Sequence, residues 1–216
     1  MSAQYQDRVS AGKVLGEKLQ ALSLREVPLI LAIPNGGLAV AQPIAEMLGA
    51  DLDLLLVRKL QIPYNPEAGF GALTSLGTVI LNEPLVYRIG LSKAEIEQVI
   101  QRTRKQIETR KSAYKGLAGR YLPTQRIVVL VDDGLASGYT MLAAIESVRQ
   151  LEPQKIIVAV PTASSSAISK VQEVVDVLIC PHIGRGYVFA VADAYQNWYD
   201  VPDQEVIEML ENIGRK

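Results

Sequence analysis

Residues 127–141 read IVVLVDDGLASGYTM. The run 127–131 is wholly apolar, too short for a helix and rich in Val and Ile, so it reads as a strand buried on both faces of a sheet. It ends on Asp132 and Asp133, carboxylates that are costly to bury unless something engages them. Gly134, Ala136, Ser137, Gly138 and Thr140 follow, small or hydroxyl-bearing, before helical apolar spacing sets in at Met141. Strand, acidic pair, small-residue loop and helix start make a place for a sugar diol and a phosphate. Glycines let backbone N–H groups close on an anion, and the helix N-terminus adds a favourable dipole.

Outward from this stretch, strands and helices alternate. Buried strands are expected at 29–33, 53–57, 155–160 and 174–180. Helices are expected at 7–22 with Asp7 as N-cap, at 38–48 with Pro43 near its first turns and Gly49 closing it, at about 138–150 and at about 164–171. Ser92 with Glu95 three residues on forms a capping box that starts a long helix running to about 110–114. This alternation predicts an α/β fold, a mainly parallel doubly wound sheet with flanking helices. Residues 61–71, QIPYNPEAGFG, hold two prolines and two glycines and read as a long mobile loop, followed by a hairpin or sheet extension over 72–81. The chain reads as one domain. Its core spans about 27–182, and the terminal segments, about 1–26 and 183–216, form a small hood ending in a helix.

The 216 residues are 49% hydrophobic and 21% charged, which suits one α/β domain with a sizeable core. A net charge of −1 gives no support for bulk attraction to nucleic acid or membrane. The single Cys180 excludes an intrachain disulfide and a cysteine metal cluster, and fits a reducing, cytoplasmic setting. The opening MSAQYQDRVSAGK has no apolar core, so no signal peptide is expected, and no apolar run reaches ~18 residues, the length a membrane helix needs.

In open parallel sheets, ligands bind beyond the carboxyl ends of the strands. Four such ends carry unusual residues: Pro34-Asn35-Gly36-Gly37, Arg58-Lys59, Asp132-Asp133 and Pro161-Thr162. Each alone reads equally well as turn chemistry or a solvated strand end; together they converge on one edge. A P-loop needs a lysine before its hydroxyl residue, and Tyr139 stands there instead. No Gly-x-Gly-x-x-Gly follows a strand, so a dinucleotide fold is not expected.

VVLVDDGLASGYT closely resembles the 5-phosphoribosyl-1-pyrophosphate (PRPP) motif of the type I phosphoribosyltransferases, and the order of elements over about 27–182 matches that family. The resemblance implies transfer of a 5-phosphoribosyl group from PRPP to a nitrogenous base, with pyrophosphate released and Mg²⁺ as cofactor. It implies that Asp132 and Asp133 hold the ribose hydroxyls. Gly134, Ala136, Ser137, Gly138, Tyr139 and Thr140 would cradle the 5′-phosphate, Tyr139 standing where a small residue is usual. Asn35, Gly36 and Gly37 would form the pyrophosphate loop, which in this family often holds a cis peptide. Arg58 and Lys59 would contact the departing pyrophosphate, and 61–75 would be the catalytic flexible loop, with Glu67 its only acid. In the tail, Tyr187 would stack on the base with Val188 beside it, and Asp193 would order magnesium. Asp193 stands one position early for that pattern, and the lysine that reads a purine 6-oxo group has no counterpart between Val175 and Gly186, so the base stays open. A homodimer is common in this family.

Other readings remain beside it. A non-catalytic PRPP- or nucleotide-sensing regulator of the same fold is the alternative, and a phosphate-ester hydrolase using Asp132 as nucleophile is a third. His182 reads as structural, and the basic run over 101–120 as a solvated helix face.

Overall fold

The computed structural model describes residues 3–114, 116–184 and 189–213. A five-stranded, all-parallel sheet forms its centre, in the order β2 (Asp51–Leu54), β1 (Leu29–Ala32), β6 (Ile127–Val131), β7 (Lys155–Ala159), β9 (Val177–Ile179). Successive residues of a strand face opposite sides, and the core divides accordingly. Ile30, Ala32, Val129 and Val131 join one apolar cluster; Leu29, Leu31, Val128 and Leu130 join the other. Helices α1 (Arg8–Gln20) and α2 (Gly36–Leu48) contribute to the first cluster, and α5 (Tyr139–Arg149) and α6 (Ser165–Gln172) to the second. This is the expected doubly wound α/β fold.

The chain steps from β1 outward to β2, then returns to place β6 on the other side of β1. The order therefore reverses between β1 and β6, and a crevice opens at their carboxyl ends, the usual ligand site of such sheets. Pro34 to Gly37 follow β1, and Asp132 and Asp133 follow β6.

Asp7 caps α1 through a reciprocal pair of bonds with Ser10. The helix lies close on α2 because Gly12 and Gly16 present no side chain. A Cβ at Gly12 would collide with the Val40 carbonyl, and one at Gly16 would sit 2.8 Å from Met47 Sδ. Arg8, Gly12 and Gly16 recur every fourth residue on one helix face, so this seating carries Arg8 toward the crevice. Helix α2 begins at Gly36, two residues before the expected start, which leaves Pro43 inside it.

Two expectations are corrected. Residues 61–75 are not a loop: β3 (Val57–Ile62) and β4 (Asn65–Thr74) pair antiparallel, with register shifts on either side of Gln61. Alternate residues Leu60, Ile62, Phe70 and Ala72 are buried, and this two-residue period outweighs the prolines and glycines that suggested a loop. Arg58 and Lys59 consequently lie within β3 rather than at the end of β2, which stops at Leu54. The expected hairpin over 72–81 is present, as β5 (Val79–Leu81) pairs antiparallel with β4.

A short helix not anticipated from the sequence, α3 (Glu83–Ile89), is capped by Asn82 and leads into α4 (Lys93–Ala113), whose Ser92–Glu95 capping box forms as expected. Only Val99, Thr103 and Ile107 of α4 are buried, so its basic residues lie largely on solvated faces. The loop from α4 to β6 is clamped by Asp53, which is fully buried and accepts the backbone N–H groups of Gly119, Arg120 and Tyr121 at 2.8, 2.5 and 2.9 Å. Beyond β8 (Thr162–Ser164) and its parallel partner β10 (His182–Gly184), the tail makes a single 3₁₀ turn at Val191–Ala194 and ends in α7 (Asp203–Ile213).

Candidate functional site

A cleft of about 830 Å³ opens over the β1/β6 switch point. Its walls include Asn35 and Gly36 after β1, Asp132 to Thr140 after β6, Arg58 and Lys59 from β3, Arg8 from α1, Arg110 from α4, and Trp198, Asp200 and Val201 from the tail. The structure thus brings together the turn after β1, the acidic pair, the small-residue loop and the Arg-Lys pair, which stand up to about 100 positions apart in the sequence.

The two acids have different surroundings. Asp132 Oδ1 accepts the Asp133 N–H at 2.8 Å. Burial, and then the charge of Asp133 beside it, push the Asp132 carboxyl well above the usual carboxylate range. Burial raises Asp133 too, but Arg8 opposes that shift. Arg8 is 5% exposed, and its Nε and Nη2 both reach Asp133 Oδ2 at 2.9 Å while Nη1 donates to the Tyr199 carbonyl at 2.9 Å. Its guanidinium lies 4.0 Å from the centre of the Trp198 ring, with Tyr195 and Tyr199 further out. Tyr195 OH donates to the Asp133 carbonyl at 2.6 Å, so the tail grips this acid from a second direction.

The small-residue loop is held from outside the cleft. Ser164 Oγ donates to the Ala136 carbonyl at 2.6 Å, and Lys170 Nζ to the Ser137 carbonyl at 3.1 Å. With those carbonyls occupied, the loop N–H groups are the donors an anion would meet, at the start of the 11-residue α5. Tyr139 turns its ring toward Lys170, 5.3 Å away, so its bulk is accommodated beside the loop.

The turn after β1 packs directly beneath the acids, and its Pro34–Asn35 peptide is cis. A Cβ on Gly36 would overlap Asp133 Oδ2 and lie 2.8 Å from Arg8 Nε; only glycine permits this approach. Asn35 Nδ2 donates to the Val201 carbonyl at 2.6 Å and to Asp203 Oδ1 at 2.9 Å. Asn35 Oδ1 is buried and has no hydrogen-bond partner among the described residues. Arg58 is half-buried, and burial, followed by repulsion from Arg110, lowers its pKa from the ordinary guanidinium value.

Other residues singled out in the sequence lie elsewhere. Asp193 is exposed in the 3₁₀ turn and is not on the cleft wall; Asp200 is the tail acid that borders the cleft. Tyr187 and Val188 lie outside the described residues. His182 Nδ1 bonds Thr162 Oγ1 at 2.9 Å, and Cys180 donates to the His182 carbonyl, burial pushing its thiol up to about 12. Glu67 falls in β4. No helix among the described residues is long and apolar enough to cross a membrane.

Sequence reasoning missed Arg8, Arg110 and the tail residues Trp198, Asp200 and Asp203. For Arg8 a signal existed: it extends the Gly12–Gly16 stripe by one turn. The others meet the cleft through long-range contacts that no local pattern announces.

Comparison with known proteins gives a consistent picture. Residues 11–194 match the model of the phosphoribosyl transferase domain. Two Mycobacterium tuberculosis proteins, from strains CDC 1551 and H37Rv and each named "Putative phosphoribosyl transferase", are 33% identical to this chain over 98% of its length. The chain spans about half the length of these curated relatives, 47% of each. Among solved structures, TT1426 from Thermus thermophilus superimposes with a TM-score of 0.80 at 33% identity, covering 97% of this chain and 98% of that one. A purine phosphoribosyltransferase from Pyrococcus horikoshii shares the fold, with a TM-score of 0.51 at 16% identity over 94% of this chain and 99% of that one.

Proposed function

The chain belongs to the phosphoribosyl transferase family, and on that premise we propose that it binds PRPP with Mg²⁺ and transfers the 5-phosphoribosyl group to a nitrogenous base, releasing pyrophosphate. One observation carries this reading: the Asp132–Asp133 pair and the loop that opens α5 face the glycine turn after β1 across the sheet's switch point.

Each part of the donor has a counterpart in the cleft. The loop N–H groups over Ala136–Tyr139 and the α5 N-terminus suit a 5′-phosphate. Asp132 and Asp133 suit the ribose hydroxyls, which donate to carboxylate oxygens. The Asn35–Gly37 backbone, with Arg58 and Lys59, suits the diphosphate. As the glycosidic bond breaks, negative charge grows on that leaving group, and fixed cations and dipoles lower the barrier most where charge develops.

The donor set also fits Mg²⁺. Among the described residues no group of three His, Cys, Asp or Glu side chains could hold a metal alone. Magnesium usually takes one or two carboxylates together with substrate phosphates. Asp132 and Asp133 would supply such oxygens, and Asn35 Oδ1, which has no partner among the described residues, is a further acceptor on the cleft wall. Bound there, the ion would neutralise diphosphate charge. The acids need not take a proton from the nucleophile; their part is to hold the ribose while the acceptor nitrogen attacks C1′.

The acceptor reading rests on the resemblance of the 128–140 motif to the type I phosphoribosyltransferases and on the purine phosphoribosyltransferase that shares the fold. The tail, with Trp198 on the cleft wall and Tyr187 nearby in sequence, is the hood under which a base would lie. A second reading, a PRPP-binding member without catalysis, is favoured by Arg8 already engaging Asp133. Calorimetry with PRPP and Mg²⁺, followed by pyrophosphate release over a panel of bases, tests both. Binding with release supports the transferase, binding without release over the whole panel supports the binding-only member, and no binding overturns both.

A further inference from the structure

We propose that Arg110, in the last turn of α4, is a further anion-binding residue of the cleft, and that Asp203 is the counter-ion it gives up when a diphosphate enters. This deepens the PRPP reading and rests on it.

Helix α4 seats on the body through Val99, Thr103 and Ile107. Arg110 stands three residues beyond Ile107, on the edge of that buried stripe. Its neighbours on the helix, Arg102, Arg104 and Lys105, point to solvent, whereas the Arg110 side chain is only 21% exposed and borders the cleft. Arg58 borders the same cleft from β3, and the two guanidinium groups repel each other.

The carboxylate of Asp203 pairs with Arg110, and its charge also favours the Arg58 cation. Asp203 Oδ1 takes Arg110 Nη2 at 2.8 Å and Asn35 Nδ2 at 2.9 Å. The same oxygen therefore joins α4 to the turn after β1, the turn that faces the acidic pair. Arg110 and Arg58 thus lie near the charge of Asp203, and Lys59 is a further cation on the same wall. A diphosphate, carrying more charge and more acceptor oxygens, suits two arginine forks better than one carboxylate does. Asp203 is 47% exposed, so solvent can receive it without opening the core. Exposed ion pairs are weak enough to be exchanged on binding. Asp203 is also the first residue of α7, so its release would free the start of that helix from the cleft.

The test is calorimetry on the full chain with inorganic pyrophosphate and, separately, with PRPP, each with Mg²⁺, on the wild type, Asp203→Asn, Arg110→Gln and Arg110→Lys. The asparagine keeps an oxygen for Asn35 and removes only the competing charge. Asp203→Asn should bind pyrophosphate about three- to fivefold more tightly, and Arg110→Gln about tenfold more weakly, with Arg110→Lys between. Thermal unfolding checks that each variant is folded; should Arg110→Gln fail to fold, the other two variants decide. If the wild type binds both ligands and Asp203→Asn binds no more tightly, or Arg110→Gln no more weakly, the assignment falls and the PRPP reading stands. If the wild type binds neither, both fall together.

Discussion

Arg8 reaches one oxygen of Asp133 with two donors, Nε and Nη2, both at 2.9 Å, and this contact ties the first helix of the chain to the acid that ends the β6 motif. Both side chains are largely withdrawn from water, 6% and 16% exposed. Removing one partner of a buried ion pair strands the other, at a typical cost of about 3–5 kcal/mol. Arg8→Met should therefore lower unfolding stability in urea by roughly that amount. Adding Asp133→Asn to Arg8→Met should recover part of it, since the stranded charge is gone. A double variant less stable than Arg8→Met by the full effect of Asp133→Asn would show that the two residues act independently.

Asp132 gives the protein a pH dependence of predictable sign. Its carboxyl is raised by burial and by Asp133. A carboxyl raised in the folded state favours folding below the ordinary aspartate range, and that contribution is lost as pH rises through the folded value. Stability of the ligand-free chain should fall over this interval. Asp132→Asn should flatten the slope and raise the melting temperature at pH 7, by about 2–4 °C for each 1 kcal/mol relieved. Thermal scans across pH check this; an Asp132→Asn variant with the wild-type slope would assign the dependence to other groups.

Gly36 is where backbone, acid and arginine meet. A methyl group there overlaps Asp133 Oδ2 and crowds Arg8 Nε. Gly36→Ala should weaken PRPP binding by about tenfold or more through displacement of the acid, while the far-UV circular dichroism stays as in the wild type. Unchanged affinity would place the ligand away from this turn.

Asp53 has no contact with the cleft but fixes the return from α4. Its carboxylate satisfies three consecutive N–H groups of the 119–121 segment. Asp53→Ala should cost about 3 kcal/mol or more, because buried donors lose a charged acceptor. Hydrogen exchange should show the loss of protection centred on Gly119 to Tyr121. Protection unchanged there would mean that the loop is held by its packing alone.

The parts of this molecule that were legible in the sequence are those written in local patterns. Ile127 to Val131 is apolar throughout because both of its faces are covered, and Asp7, Ser92 and Glu95 cap helices within three residues of themselves. The β3/β4 hairpin was obscured because Pro63, Pro66, Gly69 and Gly71 are loop residues by type, while its two-residue burial period is short and interrupted by register shifts. Arg8 with Asp133, Asn35 with Asp203 and Arg110 with Asp203 were hidden for another reason. They join residues 125, 168 and 93 positions apart, and such pairings are fixed by how α1, α4 and α7 dock rather than by any nearby residue. The acidic pair was thus visible, whereas Arg8, the cation that faces it, was not.

The central claim is that the cleft holds PRPP by its ribose through the acid pair, and calorimetry of PRPP with Mg²⁺ on the wild type and Asp132→Asn tests it most directly. The amide substitution removes a charged acceptor without a change of shape, and the variant should remain folded, with a melting temperature at or above that of the wild type. The wild type should bind PRPP, and Asp132→Asn should lose about tenfold or more in affinity, as expected for one charge-assisted hydrogen bond. A folded Asp132→Asn that binds PRPP as tightly as the wild type, or a wild type that does not bind it, would contradict the account.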